Sequence, residues 1–340
     1  MIRKPEFVYV TNSGSDTLSI INTKTNRVVK TLKLLRMPID IAESPDNKLL
    51  YISNTGTNKL SVVSTVTDKV VDTIKVGRMP RDVDFDTAER FIFSVDRGSN
   101  SVSVINANTN KVTKTIKVGR SPFVSSFTPD GKKYYVANSG GNHVSVINTN
   151  RMKVSKKIRV GRNPQQARVT RDGKFVYVPN KGSNTVSVIR VATDKVVKTV
   201  RVGKGPIRSF ITPDNKFVYI SNENANSVSV IRASDNKVIK TLRVGRKPFV
   251  GIFTPNGKFY YLSNKGGNTI SVISVNKNQV VDTIRVGRNP AIGRFTADGR
   301  FYYIPNSGTN CVSVIRTSTN KVVRNIRVGK NPFSALILPM

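Results

Sequence analysis

Short runs of apolar residues, separated by polar turns, repeat along the whole chain. In the fourth copy, Phe123 to Thr128 is a run of apolar and small residues, and Lys133 to Asn138 is rich in strand-forming residues. Val144 to Ile147 alternates apolar and polar side chains, and Val154 to Val160 is a fourth run. Turns rich in Gly, Asn, Pro and Asp separate the runs, and no copy shows a helical period. Each copy therefore predicts a meander of four short antiparallel β-strands.

The copies recur every 42 residues, and eight of them fill the chain. Four-stranded meanders repeated about 40 residues apart are typical of β-propeller blades. The chain starts with the second strand of a blade, Phe7 to Asn12, and ends with a first strand, Phe333 to Leu338. We therefore predict an all-β fold with one domain, residues 1–340. It is an eight-bladed β-propeller of four-stranded antiparallel blades, in which the C-terminal strand completes the N-terminal blade. An open solenoid is the alternative, but it leaves a free sheet edge and does not explain the complementary ends.

A Tyr-Val-Thr-Asn type tetrapeptide ends the second strand of seven copies. The seven are Tyr9-Val10-Thr11-Asn12, Tyr51-Ile52-Ser53-Asn54, Tyr135-Val136-Ala137-Asn138, Tyr177-Val178-Pro179-Asn180, Tyr219-Ile220-Ser221-Asn222, Tyr261-Leu262-Ser263-Asn264 and Tyr303-Ile304-Pro305-Asn306. The third copy departs, with Phe93-Ser94-Val95-Asp96. Each motif is followed by a Val-Ser-Val-Ile type strand, and together they resemble the YVTN-type β-propeller repeats over nearly the whole chain. Such repeats are common in surface-layer and secreted proteins, so the resemblance implies a cell-surface or extracellular location.

The chain carries 56 basic and 20 acidic residues, for a net charge of +36. A compact domain with this imbalance repels itself, which predicts a strongly negative partner such as nucleic acid, an anionic cell-wall polymer or an anionic membrane. No apolar run reaches the length of about 18 residues typical of a transmembrane helix. Met1 to Glu6 leads straight into the first strand with no visible signal peptide, which favours the cytoplasm by default, against the location that the resemblance implies.

Two series of basic residues recur with the repeat. The loop series lies in Gly-Arg/Lys-x-Pro turns, of which the first copy has Leu35 in place of the glycine, and comprises Arg36, Arg78, Arg120, Arg162, Lys204, Arg246, Arg288 and Lys330. The strand series lies three residues earlier and comprises Lys33, Lys75, Lys117, Arg159, Arg201, Arg243, Arg285 and Arg327. In a propeller, the loop that leaves the outer strand shares a face with the loop between strands two and three. Both series are therefore expected on one face, which we call the basic face; a solvated rim that gives solubility is the alternative.

The charge is uneven along the chain, because residues 1–96 hold 14 basic and 12 acidic residues, and residues 97–340 hold 42 and 8. We therefore predict that a polyanion binds the later residues of both series: Arg120, Arg162, Lys204, Arg246, Arg288, Lys330, Lys117, Arg159, Arg201, Arg243, Arg285 and Arg327. The near-neutral blades 1–3 are predicted to allow self-association along such a polymer. On the opposite face, the turns carry acids that offset part of the charge: Asp46, Asp130, Asp172, Asp214 and Asp298.

The first strands of the eight blades carry different residues at two equivalent positions, and we call each set of eight a column. Because side chains alternate along a strand, both columns lie on one side of the strands, which we expect to face the channel. One column reads Asp40, Asp82, Val124, Gln166, Arg208, Val250, Ile292 and Ser334, and the other reads Ala42, Asp84, Ser126, Arg168, Phe210, Ile252, Arg294 and Leu336. Opposed Asp and Arg residues predict a plug of ion pairs, with a small-ligand pocket as the alternative.

The sequence offers little for catalysis. His143 and Cys311 are each single residues in a variable column, and neither zinc-type spacing, a Gly-x-Ser-x-Gly elbow nor a P-loop occurs. We therefore expect no enzyme, no metal and no cofactor. The leading hypothesis is a non-enzymatic propeller that binds DNA through its phosphates without reading sequence. The alternative is an exported cell-surface propeller that binds an anionic polymer or serves as a structural surface protein.

Overall fold

The computed structural model describes residues 6–339, which form eight four-stranded antiparallel sheets and contain no helix. Each sheet is one blade of an eight-bladed β-propeller, as the repeat predicts. Blade 1 consists of β32 (Pro332–Pro339), β1 (Glu6–Asn12), β2 (Thr17–Asn22) and β3 (Arg27–Lys33). Blade 2 consists of β4 (Pro38–Glu43), β5 (Leu49–Asn54), β6 (Lys59–Ser64) and β7 (Lys69–Lys75). Blade 3 consists of β8 (Pro80–Phe85), β9 (Phe91–Asp96), β10 (Ser101–Asn106) and β11 (Lys111–Lys117).

The remaining blades repeat this order. Blade 4 consists of β12 (Pro122–Phe127), β13 (Lys133–Asn138), β14 (His143–Asn148) and β15 (Lys153–Arg159). Blade 5 consists of β16 (Arg168–Val169), β17 (Phe175–Asn180), β18 (Thr185–Arg190) and β19 (Lys195–Arg201). Blade 6 consists of β20 (Pro206–Ile211), β21 (Phe217–Asn222), β22 (Ser227–Arg232) and β23 (Lys237–Arg243). Blade 7 consists of β24 (Pro248–Phe253), β25 (Phe259–Asn264), β26 (Thr269–Ser274) and β27 (Gln279–Arg285). Blade 8 consists of β28 (Arg294–Phe295), β29 (Phe301–Asn306), β30 (Cys311–Arg316) and β31 (Lys321–Arg327).

The two chain ends meet in blade 1, which confirms the predicted closure. The C-terminal strand β32 pairs antiparallel with β1, so that Tyr9 lies opposite Leu336 and Val8 opposite Ile337. β1 therefore has a neighbour on both sides, and β32 takes the inner edge position of this blade. The predicted run from Met1 into the first strand concerns residues 1–5, which lie outside the described residues.

The chain divides into two compact units. The first unit, Met1–Thr73 with Val244–Met340, carries blades 1, 2, 7 and 8, apart from the end of β7. The second unit, Ile74–Arg243, carries blades 3 to 6. The single domain of residues 1–340 stays a prediction.

Adjacent blades pack through the buried second and third strands. In the second unit, Tyr135 and Val146 of blade 4 share one apolar cluster with Val176, Val178 and Ile189 of blade 5, and all five are fully buried. These strands read as near-continuous apolar runs because both of their faces are covered. The fourth strand of each blade lies outside this core, so its polar side chains reach solvent.

The tyrosine of the repeated motif links consecutive blades. Tyr177 of blade 5 donates to Asn236 Oδ1 in the outer hairpin of blade 6, and Tyr303 of blade 8 donates to Asn26 Oδ1 in blade 1, each at 2.6 Å. Asn236 and Asn26 lie at positive φ (55° and 52°), which asparagine tolerates better than most residues. Tyr135–Asp194 and Tyr261–Asn320 form the same bond. In blade 3 the motif has Phe93 instead, and Met152 replaces the acceptor and packs against its apolar cluster.

Two first strands are much shorter than predicted. β16 and β28 hold two residues each, and beyond them only the isolated bridges Pro164–Asn180 and Pro290–Asn306 remain. The second strands of these blades contain Pro179 or Pro305, whose carbonyl accepts the amide of Gln165 or Ala291 just before the shortened strand. The N–H and C=O of one residue in a strand point to the same side. Because proline has no N–H, the pairing of the first and second strands loses a hydrogen bond at Pro179 and at Pro305.

Candidate polyanion interface

Backbone hydrogen bonds fix the loop series on one face of each unit. The Gly140 amide donates to the Arg120 carbonyl and the Gly182 amide to the Arg162 carbonyl, both at 3.0 Å. The same bond joins Gly308 to Arg288 in the first unit, at 2.9 Å. Each bond ties the loop that leaves an outer strand to the loop between strands two and three of the next blade. The two kinds of loop therefore share a face in each unit, as predicted.

A second set of bonds fixes the residue that follows several loop-series positions. Ser121 and Gly205 have positive φ, and their amides donate to Asn100 Oδ1 at 2.8 Å and Asn184 Oδ1 at 2.9 Å. The equivalent amide of Asn331 in the first unit donates to Asn310 Oδ1 at 2.9 Å. Because the backbone is held on both sides, the loop-series side chains start from defined points and extend into solvent.

All sixteen residues of the two series are exposed, including the twelve predicted to bind the polyanion. Seven of the twelve lie in the second unit: Lys117, Arg120, Arg159, Arg162, Arg201, Lys204 and Arg243. The other five lie in the first unit: Arg246, Arg285, Arg288, Arg327 and Lys330. Within residues 6–339, the ion pairs between side chains involve none of the sixteen. Their charges are therefore available to an external anion.

Acidic side chains do little to neutralise the basic face. Asp96, the last residue of the motif in the third copy, is fully buried at the end of β9. Glu223 pairs with Lys181 at 2.6 Å, so the two charges offset each other. Asp16 Oδ1 accepts the Met37 amide at 2.9 Å. These three acids therefore leave most of the positive charge of the basic face unopposed.

The turns of the opposite face are organised differently. Each of their five aspartates accepts a bond from the Ser or Thr two residues earlier, as Asp172 does from Thr170 at 2.6 Å. Each also lies near a basic side chain of its own turn: Lys48–Asp46 at 3.4 Å, Lys132–Asp130 at 3.9 Å, Lys174–Asp172 at 3.8 Å, Lys216–Asp214 at 3.6 Å and Arg300–Asp298 at 2.5 Å. Hydrogen bonds and these cations lower the pKa of the five carboxyls, which stay ionised and offset the local charge.

Asp96 takes the position that asparagine has in the other blades. It accepts hydrogen bonds from Ser103 Oγ at 2.6 Å and Ser94 Oγ at 2.9 Å. In spite of these bonds, burial raises the pKa of the Asp96 carboxyl to about 6. Blade 3 therefore contains a buried carboxyl that titrates near neutral pH.

Three arginines of the second unit surround one phenylalanine. The guanidinium carbons of Arg81, Arg208 and Arg97 lie 5.1, 5.3 and 5.5 Å from the centre of the Phe123 ring. Arg208 is buried and donates to the Ile207 carbonyl at 3.2 Å, whereas Arg97 is exposed. The ring faces attract the cations and hold them close together. Sequence reasoning assigned Arg208 to the channel but missed Arg81, Arg97 and Phe123, which lie in three different segments.

The predicted Asp and Arg columns meet in the second unit around Asp82. Asp82 Oδ2 accepts the Ser125 amide at 3.0 Å and its hydroxyl at 2.6 Å, and Ser125 Oγ lies 2.5 Å from the Tyr134 hydroxyl. The Tyr134 hydroxyl also donates to Asp84 Oδ2 at 3.0 Å. Burial raises the pKa of Asp82, although the Ser125 bonds and the nearby Arg208 and Arg81 act in the opposite direction. Asp82, Ser125, Tyr134 and Asp84 thus form one connected polar chain.

The remaining chemically active side chains are scattered. Burial and the nearby Lys157 lower the pKa of His143, which lies at the start of β14. Cys311 lines a cavity of about 350 Å³ with Arg285, Gly287, Thr309 and Asn325. Among residues 6–339, no group of three or more His, Cys, Asp or Glu side chains could hold a metal ion. The same part of the chain contains no helix long and apolar enough to cross a membrane.

Several solved structures share the fold. The hydrazine synthase of Kuenenia stuttgartiensis is 26% identical, with a TM-score of 0.67, over 83% of this chain and 96% of that chain. The dihydro-heme d1 dehydrogenase NirN, solved in complex with DHE, is 15% identical, with a TM-score of 0.85, over 97% of this chain and 74% of that chain. Apo AztD from Citrobacter koseri is 12% identical, with a TM-score of 0.75, over 98% of both chains. The last two likenesses show the fold alone. No curated protein matches the chain.

A family comparison adds the sequence relationship. The family described as "Lactonase, 7-bladed beta-propeller" matches residues 36–124 and 115–243. The two segments overlap and together cover residues 36–243, more than half of the chain. The structure has one blade more than that description. The protein therefore belongs to this lactonase family of β-propellers, as an eight-bladed member.

Proposed function

We propose that the protein is a non-enzymatic scaffold that binds a polyanion on its basic face, and that the polyanion is DNA. The observation that carries this proposal is the set of exposed loop-series and strand-series residues, none of them in an ion pair within residues 6–339. Duplex DNA offers a phosphate charge every 1.7 Å or so along its axis, which suits a row of basic residues that recurs blade after blade. Such contacts position the polymer without reading its bases.

Counterion release sets the expected salt dependence. The logarithm of the binding constant should fall with the logarithm of salt concentration at a slope of about −0.9 per phosphate contact. With roughly six contacts, the affinity should fall about a thousandfold between 50 and 200 mM salt. The ten tyrosines lie largely in the buried strands, so base stacking adds little.

The test compares two triple variants that lose the same charge from opposite faces of the second unit. One is Arg120→Gln, Arg162→Gln and Arg201→Gln, and the control is Lys132→Gln, Lys174→Gln and Lys216→Gln. Binding of a fluorescent duplex of arbitrary sequence is measured by anisotropy over a salt series. The first variant should weaken binding and flatten the slope by up to about 2.7, and the control should leave the slope nearly unchanged. Equal losses in both variants, or binding that ignores salt, would overturn the proposal.

Anionic cell-wall polymer is the alternative partner, and the YVTN resemblance and its implied export support it. The same guanidinium and ammonium groups would contact its phosphates or carboxylates. Competition between the labelled duplex and a teichoic acid, at equal concentrations of negative charge, separates the two partners. If teichoic acid displaces DNA at well below equal charge, the cell-surface function replaces the DNA-binding one.

The family match makes lactone hydrolysis the competing enzymatic proposal. In the second unit, the polar chain of Asp82, Ser125, Tyr134 and Asp84 brings four proton-exchanging groups together. Hydrolysis of a panel of sugar and aliphatic lactones can be followed by acid release. Turnover that Asp82→Asn abolishes, in a folded variant, would replace the scaffold proposal with an enzymatic one.

A further inference from the structure

The three arginines around Phe123 come from separate parts of the second unit, and we call the four residues the Phe123 cluster. Arg81 lies on β8, Arg97 directly follows β9, and Arg208 lies on β20. Each guanidinium carbon is 5.1 to 5.5 Å from the centre of the ring, so no two of them can be further apart than about 11 Å, twice the longest of these distances. The plane of the ring has two sides, so at least two of the three guanidiniums lie on the same side of it.

The backbone holds these side chains close to one another. The Arg97 amide donates to the Met79 carbonyl at 3.1 Å, which ties the loop after β9 to the start of β8, where Arg81 lies. The pairing of the first and second strands shifts register at Arg81 in blade 3 and at Phe123 in blade 4. Such strand irregularities redirect side chains and are frequent next to functional sites.

Three positive charges this close together repel one another unless anions lie among them. The Asp82 carboxyl attracts Arg208 and Arg81 and offsets part of the charge. Arg97 is exposed, and within residues 6–339 no ion pair between side chains involves it. A guanidinium has five N–H groups and a bidentate carboxylate engages two of them, so even a paired arginine has donors for a second anion. The cluster can therefore bind an anion in addition to Asp82.

We propose that the Phe123 cluster binds the terminal phosphate of a small phosphorylated molecule. A phosphomonoester has three unesterified oxygens and a charge of about −1.5 to −2 at pH 7, so each guanidinium can donate to a different oxygen. A carboxylate offers two oxygens and a single charge. Arg208 is only 8% exposed, so a terminal phosphate can approach it, whereas a phosphate within a DNA strand carries a sugar on each side that obstructs the approach.

The proposal does not rest on DNA binding, because the loop series and the strand series contain none of the cluster residues. Isothermal titration calorimetry of the full chain with phenyl phosphate tests it. The titration is done in about 150 mM chloride, which screens weak binding elsewhere on the basic surface. One molecule should bind per chain, and methyl phenyl phosphate, a diester with two unesterified oxygens, should bind at least about tenfold more weakly.

Arg97→Gln is the decisive substitution, because Arg97 is exposed and its loss opens no cavity in the core. It removes a hydrogen bond between charged groups and should weaken the binding of phenyl phosphate by about ten- to a hundredfold. Arg97→Lys keeps the charge but loses the planar fork, so its affinity should lie between those of the wild type and Arg97→Gln. The control Arg171→Gln removes the same charge from an exposed turn of the opposite face and should leave the affinity unchanged.

Thermal unfolding gives a second measurement of the same site. Saturating phenyl phosphate should raise the Tm of the wild type and of Arg171→Gln, and it should raise the Tm of Arg97→Gln much less at the same concentration. Binding that does not saturate near one molecule per chain would overturn the proposal. Equal losses of affinity in Arg97→Gln and Arg171→Gln, or equal affinities for the monoester and the diester, would overturn it as well.

Discussion

Replacing Asp96 with asparagine would give blade 3 the residue that ends the second strand of the other seven blades. The Asp96 carboxyl is fully buried, and its pKa is raised to about 6 from an ordinary value of 3.8. The folded protein therefore binds this proton more tightly than the unfolded chain does. The free energy of unfolding falls as the pH rises from about 4 to about 6, and the loss is complete above that range. At 1.36 kcal/mol per pKa unit, the ionised carboxyl costs about 3 kcal/mol at pH 7.5.

Blade 4 shows that asparagine satisfies the same surroundings without a charge. The Gly119 amide donates to Asn138 Oδ1 at 2.9 Å, and Asn138 Nδ2 donates to Ser145 Oγ at 3.0 Å. Ser103 stands in the place of Ser145 in blade 3, and its hydroxyl can accept as well as donate. Asp96→Asn should therefore raise the free energy of unfolding by about 3 kcal/mol at pH 7.5 and by almost nothing at pH 4.

Urea denaturation followed by tyrosine fluorescence, at pH 4 and pH 7.5, measures this difference. Asn138→Asp is the matched reverse change and should destabilise the protein at pH 7.5 much more than at pH 4. The reasoning fails if Asp96→Asn destabilises the protein at pH 7.5, or if its gain is the same at both pH values. A gain that is independent of pH would mean that packing, rather than ionisation, distinguishes the two residues.

Two further predictions concern other contacts, each with a control substitution. Tyr177→Phe removes the bond to Asn236 and should lower the free energy of unfolding by about 1 kcal/mol. In contrast, Phe93→Tyr should bring no gain, because Met152 offers no comparable acceptor; urea denaturation of both variants measures this, and a gain from Phe93→Tyr would contradict the explanation. Glu223→Gln frees Lys181 on the basic face, so DNA should bind more tightly and the salt slope should steepen by up to about 0.9. Asp172→Asn, on the opposite face, should leave the slope unchanged in the same anisotropy assay.

The fold was predictable because local turn chemistry and the long-range repeat agree. Asn and Gly stand at the tight turns, and each apolar run has the length of one strand, so the number of strands per blade and the closure by β32 follow from the sequence. The shortening of β16 and β28 had a visible signal in Pro179 and Pro305, but interpreting it requires knowing to which side the proline nitrogen points.

The candidate site was only partly predictable. The loop and strand series repeat with the blade, so their exposure follows from the fold. The cluster around Phe123 combines residues from blades 3, 4 and 6, and no spacing in the sequence brings Arg81, Arg97 and Arg208 together. Whether Asp96 faces solvent or the core depends on the position at which β9 ends, and prediction from sequence is least reliable at such strand ends.

The pairing of β1 with β32 also determines when the chain can finish folding. Tyr9 precedes its partner Leu336 by more than 300 residues along the chain. During synthesis, β1 can pair with β2 soon after both appear, but its other edge stays unpaired until β32 has been made. That edge can recruit a foreign strand throughout the interval, since contacts between distant parts of a chain form late. The same link that completes the finished blade therefore leaves the nascent chain vulnerable to aggregation until β32 pairs with β1.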